Sequence, residues 1–147
     1  MDYKYSFQRF DEKKMAKAVG RNLPISIKHS VELASTIRGM GIDRARKVLN
    51  DVCELQKPVP YGRFNRDLAH KKKMGPGRYP VKTAKHFLEV LKLAESNAQQ
   101  KSLSQEDLII THIAANKAAG RWHYGRQRRR LFKSTHLEIV VEEKAVE

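Results

Sequence analysis

The chain holds one cysteine, Cys53, in 147 residues. A single thiol excludes an internal disulfide and any zinc site built on a cysteine cluster. Long apolar runs are missing too. No stretch approaches the roughly 20 apolar residues of a membrane-spanning helix, and the N-terminus lacks the apolar core of a signal peptide. From these absences a soluble, intracellular protein is expected. Acid is also scarce: 16 Asp and Glu stand against 30 Lys and Arg, for a net charge of +14. Such a balance fits a protein held against nucleic acid or an anionic membrane surface.

The scarcity of acid is local. Between Asp107 and Glu138 there is none, while Arg121, Arg126, Arg128, Arg129, Arg130 and Lys133 crowd together, interleaved with Trp122, Tyr124 and Phe132. Over residues 57–86 the cations are Lys57, Arg63, Arg66, Lys71, Lys72, Lys73, Arg78, Lys82 and Lys85, with Asp67 the only acid. Two separate basic zones imply an extended footprint, not one small pocket. The acids gather elsewhere, among them Glu142, Glu143 and Glu147.

This separation bears on chemistry. A metal-dependent nuclease needs carboxylates grouped in its basic cleft, and here the acids are kept out of both zones. No histidine pair has the spacing of a helical metal site. His112 and His136 could face each other across a hairpin, but two ligands fall short of the three or four a zinc site wants. No serine sits in a nucleophile elbow. No catalytic residue, metal or cofactor is assigned, and plain binding is expected.

Periodicity places the elements. Ser26 is a good N-cap for a helix to about Arg38, with Ile27, Val31, Ala34 and Ile37 as its apolar face and Gly39 and Gly41 as its stop. A second helix starts near Asp43, with the stripe Ile42, Ala45, Val48, Leu49, Val52 and Leu55 and a half-buried Cys53 beside it. Residues 57–79 are broken by Pro58, Pro60, Gly62, Gly75, Pro76 and Gly77. A loop this long is functional or disordered, and its composition disfavours order before a polyanion binds. Pro80 is expected at the first position of a third helix to about Ala98, with Glu95 at the border of its apolar side. Ser104 with Asp107 resembles a capping box, but a single turn is the better reading. Residues 108–116 and 135–143 are paired strands, the second alternating as a sheet packed on one face requires. Residues 16–22 leave a helical turn and a first strand both open. The alternating aromatics of residues 1–10 fit a strand edge or an RNA-packed tail.

The expected fold is α+β, a single domain over 1–147, with about three helices on a small antiparallel sheet and a long β-hairpin extending from it. A free two-stranded ribbon is marginal in water, and a polyanion would relieve the self-repulsion of its tip at residues 118–133. Backbone contact with phosphates by both zones follows, with stacking from the aromatics.

Several stretches match a known family. They are Ser26-Ile-Lys-His-Ser30 through Ile37-Arg38-Gly39; Val59-Pro60-Tyr61; Asn65-Arg66-Asp67 with Ala69-His70; and Gly77-Arg78-Tyr79-Pro80-Val81-Lys82. Asn97-Ala98, His112 through Lys117, Gly125-Arg126, and Thr135-His136 with Ile139-Val140-Val141 complete the set. The chain resembles the large-subunit ribosomal protein family numbered twenty-two in bacterial nomenclature, in its archaeal and eukaryotic branch. The resemblance implies a non-catalytic protein of the cytoplasmic large ribosomal subunit. Such a protein binds large-subunit rRNA and neighbouring ribosomal proteins, supports assembly, and lines the nascent polypeptide exit tunnel with its hairpin tip. It implies rRNA contacts from Lys28, His29, Arg38, Arg63, Arg66, His70, Lys71, Lys72, Lys73, Arg78 and Lys82. Further contacts are implied from Lys117, Arg121, Arg126, Arg128, Arg129, Arg130 and Lys133, and a tunnel-facing tip of Trp122, His123, Tyr124 and Gly125. The tip departs from the family: Arg121 to Tyr124 stand where members usually carry Pro-Arg-Ala. A free nucleic-acid-binding regulator or ribosome-assembly factor is the alternative, and it needs no ribosome.

Overall fold

The computed structural model describes residues 3–105 and 107–144. Met1 of the N-terminal aromatic stretch and Glu147 of the terminal acids lie outside them. The described chain runs β1 (Met15–Leu23), α1 (Ile27–Ile37), α2 (Ile42–Cys53), β2 (Val59–Pro60), β3 (His70–Lys71), β4 (Gly75–Arg78), α3 (Val81–Gln100), β5 (Leu108–Lys117) and β6 (Thr135–Glu143). β6 is the centre of an antiparallel sheet ordered β1-β6-β5. The open reading of residues 16–22 thus resolves as a strand, and the α+β expectation holds.

One face of this sheet meets the helices. Ala16, Ala18, Ile110, Ile113, Leu137, Ile139 and Val141 form one cluster with Leu33 and Ile37 of α1, Leu49 and Val52 of α2, and Phe87, Leu91 and Ala94 of α3. The apolar stripe of α2 ends at Val52. Leu55 lies past the helix with a φ of 62° and is 58% exposed. On α1 the buried residues are Ser30, Glu32, Leu33, Ala34 and Ile37, a face rotated from the expected one, and Ile27 and Val31 are only half-buried. Ser26 does occupy the N-cap, yet its hydroxyl makes no capping bond. Pro80 is the residue before α3 and not its first. Residues 103–105 form no helix.

The second face of the sheet was expected to meet solvent, and it is instead partly covered. Residues 3–10 form no strand; they lie across it as a strap. Phe7 packs on His112 at 5.2 Å and Tyr3 on His136 at 5.8 Å. Lys17 sits over Tyr5 at 5.2 Å and Phe10 at 4.8 Å. Under the strap Glu138 is fully buried. Its carboxylate accepts from the Ser6 N–H at 2.9 Å, the Ser6 hydroxyl at 2.7 Å and the Asn116 amide at 2.6 Å. A buried carboxylate must be hydrogen-bonded to be tolerated, and three donors meet that need.

Both edges of the sheet are sealed. The α1–α2 connection bonds to β5, with Gly39 N–H to the Ile110 carbonyl and Ile110 N–H to Met40, both at 2.9 Å. Gly39 has a φ of 75°, which suits glycine at a helix end. On β1, Asn97 donates to the Lys17 carbonyl at 2.8 Å and Lys101 to that of Met15 at 3.0 Å. Sealing of this kind blocks edge-to-edge aggregation.

Candidate nucleic-acid interface

The basic loop is folded, contrary to the expectation from its composition. β4 is the centre of a small sheet ordered β2-β4-β3. Val59 and Tyr61 are each 1% exposed and join the main core. The organiser is an acid from outside the loop. Glu32 on α1 is 5% exposed and accepts the N–H groups of Gly62, Arg63 and Phe64 at 3.2, 2.9 and 2.6 Å. These bonds fix the turn that carries Arg63 and Arg66. Arg66 adds a bond from Nε to the Gly62 carbonyl at 2.6 Å. Lys28 and Arg63 lie over the Phe64 ring at 6.0 and 5.3 Å, and Lys71 over Tyr79 at 5.5 Å. Tyr61 is pushed up to about 12, chiefly by burial, and its hydroxyl has no hydrogen-bond partner among the described residues.

The hairpin leaves the body at Lys117 and Thr135, where regular pairing ends. The strands do not run on into the tip as regular structure. Residues 118–134 continue as a looser ladder: Ala118 N–H to Ser134, Phe132 N–H to Arg121 and His123 N–H to Arg130, at 3.1, 2.7 and 2.8 Å. Gly120 is pressed against the Phe132 carbonyl, which would lie 3.2 Å from an added Cβ. A 3-10 turn, Gly125–Gln127, closes the tip, with Gly125 at a φ of 62°. The His123 and Phe132 rings stack at 3.5 Å.

Arg121, Arg126, Arg128, Arg129, Arg130 and Lys133 are all exposed around this tip. Trp122 and Tyr124 are 63% and 86% exposed, whereas His123 is half-buried against Phe132. His70, Lys71, Lys72 and Lys73 line the outer turn of the small sheet, and Lys82 lies in the first turn of α3. Arg38 is partly committed, because its guanidinium donates to the Ile113 carbonyl at 2.9 Å.

The two basic zones converge. A cleft of about 490 Å³ opens between the start of α1, the folded loop and the hairpin neck. Lys28 and His29 of α1, Arg78 of β4, and Lys117 and Lys133 of the neck line it, with no acid among the lining residues. Burial first, then Arg78 and Lys133, push the His29 imidazole below its ordinary value. His29 therefore enters the cleft as a neutral hydrogen-bonding group at neutral pH. Ser26, Asn65, Leu131 and Phe132 are among the other residues that line it. Sequence reasoning gave Phe132 as a stacking aromatic of the tip but assigned neither Ser26, Asn65 and Leu131 nor Glu32 to the site. Only spatial closure brings them there, and no spacing signals it.

His112 and His136 do not face each other. In the register His112 opposes Val140 and His136 opposes Asn116. His112 contacts the Ser6 hydroxyl at 3.1 Å, and His136 accepts from the Asn22 N–H at 3.2 Å. A β-bulge between Ile110 and His112 shifts the pairing by one. Cys53 is half-buried as expected, and burial raises its thiol pKa.

A sealed α+β body with two exposed cationic surfaces converging on one acid-free cleft defines a basic protein of the nucleic-acid-binding class. The particular kinship is given by sequence. The profile of the family described as "Ribosomal protein L22p/L17e" matches residues 18–142, and the chain belongs to that family. "Large ribosomal subunit protein uL22" of Staphylothermus marinus is 40% identical over 150 residues, covering 95% of this chain and 96% of the relative. The protein of the same name from Archaeoglobus fulgidus is 41% identical over 94% of each chain. That of Ignicoccus hospitalis is 43% identical over 88% and 89%.

Proposed function

We propose that this protein is a structural constituent of the cytoplasmic large ribosomal subunit, working as one domain over 1–147. Its role is to bind large-subunit rRNA beside neighbouring ribosomal proteins and to support assembly. Its tip, with Trp122, His123, Tyr124 and Gly125, reaches toward the nascent polypeptide in the exit tunnel. The kinship to uL22 proteins supports the ribosomal part. The observation that carries the RNA part is the convergence of Lys28, Arg78, Lys117 and Lys133 on one acid-free cleft. Cations from α1, the loop and the neck can then follow one backbone. The exposed Arg126, Arg128, Arg129 and Arg130 extend that path along the arm. In this reading the protein contributes no catalytic group.

Two measurements test the proposal. In sucrose gradients of native lysate the protein should co-migrate stoichiometrically with the large subunit and resist a salt wash. Recovery only at the top of the gradient would mean a free nucleic-acid binder. In rRNA titrations, replacing Arg128, Arg129 and Arg130 by Ala should lower the slope of log affinity against log salt by roughly 0.7–0.9 per lost phosphate contact. An unchanged slope would remove those arginines from the interface.

A further inference from the structure

The cleft at the hairpin neck has two kinds of wall. Its rim is cationic, from Lys28, Arg78, Lys117 and Lys133. Its other walls include Ile25, Ile27, Leu131 and Phe132, which are apolar. A sugar–phosphate backbone alone would satisfy the rim and waste the apolar wall. Leu131 is 52% and Phe132 44% exposed, beside a concentrated positive charge. Exposed apolar side chains grouped in a cleft mark a binding surface. At about 490 Å³ the cleft also falls in the range of small-molecule sites, about 300–1000 Å³.

We propose that this cleft seats one nucleotide of RNA turned out of its stack, with its base on the Phe132 and Leu131 wall and its flanking phosphates on the lysine and arginine rim. The seat deepens the rRNA-binding reading and rests on it. Single-stranded loops and bulges are recognised by stacking splayed bases on aromatic rings. Phe132 suits that role because His123 already holds one face of its ring at 3.5 Å. A ring fixed in advance loses little freedom on binding. Asn65 lines the same cleft, and its amide can both donate to and accept from a base edge. The Ser26 hydroxyl, which makes no capping bond, also lies there. Extruding a base from a duplex costs a few kcal/mol, so the nucleotide comes from a loop or bulge.

The test uses the full chain and two short ligands of equal charge: a single-stranded RNA tetranucleotide and a ribose–phosphate tetramer lacking all bases. The wild-type protein should bind the first about tenfold more tightly, since stacking is worth about that factor or more per base. Phe132→Leu should bring the ratio close to one, and Leu93→Ala, an exposed apolar position on α3 away from the cleft, should leave it unchanged. Both positions are exposed, so neither substitution threatens the fold. Equal wild-type affinities overturn the seat in favour of phosphate contact alone, and no detectable binding of either ligand at millimolar concentration overturns it outright. A ratio lost with Trp122→Leu and kept with Phe132→Leu also overturns it, and moves stacking to the tip. Wild-type binding to a large-subunit rRNA transcript is measured alongside. Its absence would sink the rRNA reading itself; its presence with a ratio of one would sink only the seat.

Discussion

Glu32 decides whether the basic loop is a surface or a tether. Among the described residues it is the one carboxylate bonded to the 62–64 turn, and it takes three backbone N–H groups there. Hydrogen bonds to charged groups contribute about 1.5–3 kcal/mol each, so three give an upper bound of about 4.5–9 kcal/mol. Water recovers part of this, because Gly62 and Arg63 are exposed while Phe64 is half-buried. About 3 kcal/mol is the expected loss for Glu32→Ala, in the range for breaking a buried network. Glu32→Gln keeps one oxygen, which can still accept from Arg63 and Phe64. Its amide then opposes the Gly62 N–H, and about half the loss is expected. Urea unfolding reads the total, and native-state hydrogen exchange at Gly62, Arg63 and Phe64 reads the location. These amides should exchange much faster in Glu32→Ala while those of α3 barely change. If Glu32→Ala lies within about 0.5 kcal/mol of wild type, as for an ordinary surface change, the anchoring argument is wrong.

Other perturbations probe separate parts of the molecule. Tyr61→Phe should be neutral or stabilising by up to about 1–3 kcal/mol, because it removes a buried hydroxyl without a partner among the described residues; a clear drop in unfolding midpoint would mean the hydroxyl is satisfied by water. Gly20→Ala should destabilise by about 1–3 kcal/mol, since the new Cβ would lie 2.8 Å from both Leu23 Cδ1 and Val90 Cγ2, and a thermal melt checks it. Arg46→Ala should cost about 1 kcal/mol despite the 2.6 Å pair with Glu95, because both side chains keep contact with water, at 41% and 23% exposed. Burial lowers both His29 and His112 below the ordinary imidazole value of 6.5. As pH falls through that value the unfolded chain binds protons first, so stability should decline below neutrality. The decline should flatten in His29→Gln with His112→Gln, and a slope unchanged in that variant would refute the assignment.

What was legible in the sequence follows from period. β5 and β6 end within a residue of the apolar run 108–116 and the alternating run 135–143, and α2 carries its stripe as far as Val52, because β6 and α2 repeat at a fixed step. The small sheet of the basic loop was not legible. Its strands are as short as Val59–Pro60 and His70–Lys71, too short for a period, and β2 and β4 hold Pro and Gly that usually break strands. Their order comes from Glu32, a residue on another element. Glu138 misled for a similar reason. It alternates with apolar neighbours as a solvent-facing acid would, and only the strap over the sheet makes it a core residue. The basic zones were legible as charge; their meeting at one cleft was not, since it depends on how α1 is placed against the hairpin neck.

That neck explains why the buried acid is there at all. An arm projecting from a small body gains nothing from RNA if its direction must be fixed at the moment of binding, because the ordering cost is then subtracted from affinity. Here the direction is set beforehand by clamps from separate elements. Arg38, after α1, holds the Ile113 carbonyl of β5 at 2.9 Å. The Thr135 hydroxyl donates to the Ile25 carbonyl at 3.0 Å, fully buried, where β6 emerges. Asn116 and Ser6 meet on Glu138, tying β5, β6 and the strap in one network. An apolar residue at 138 could pack as well, but it would bind neither Asn116 nor Ser6. The strap and the Asn116 side chain at the end of β5 would then lose their common tie. Directional bonds fix an angle where apolar packing tolerates several. A carboxylate at the root of a cationic arm therefore serves orientation, and the charge balance of the arm is left to its polyanion.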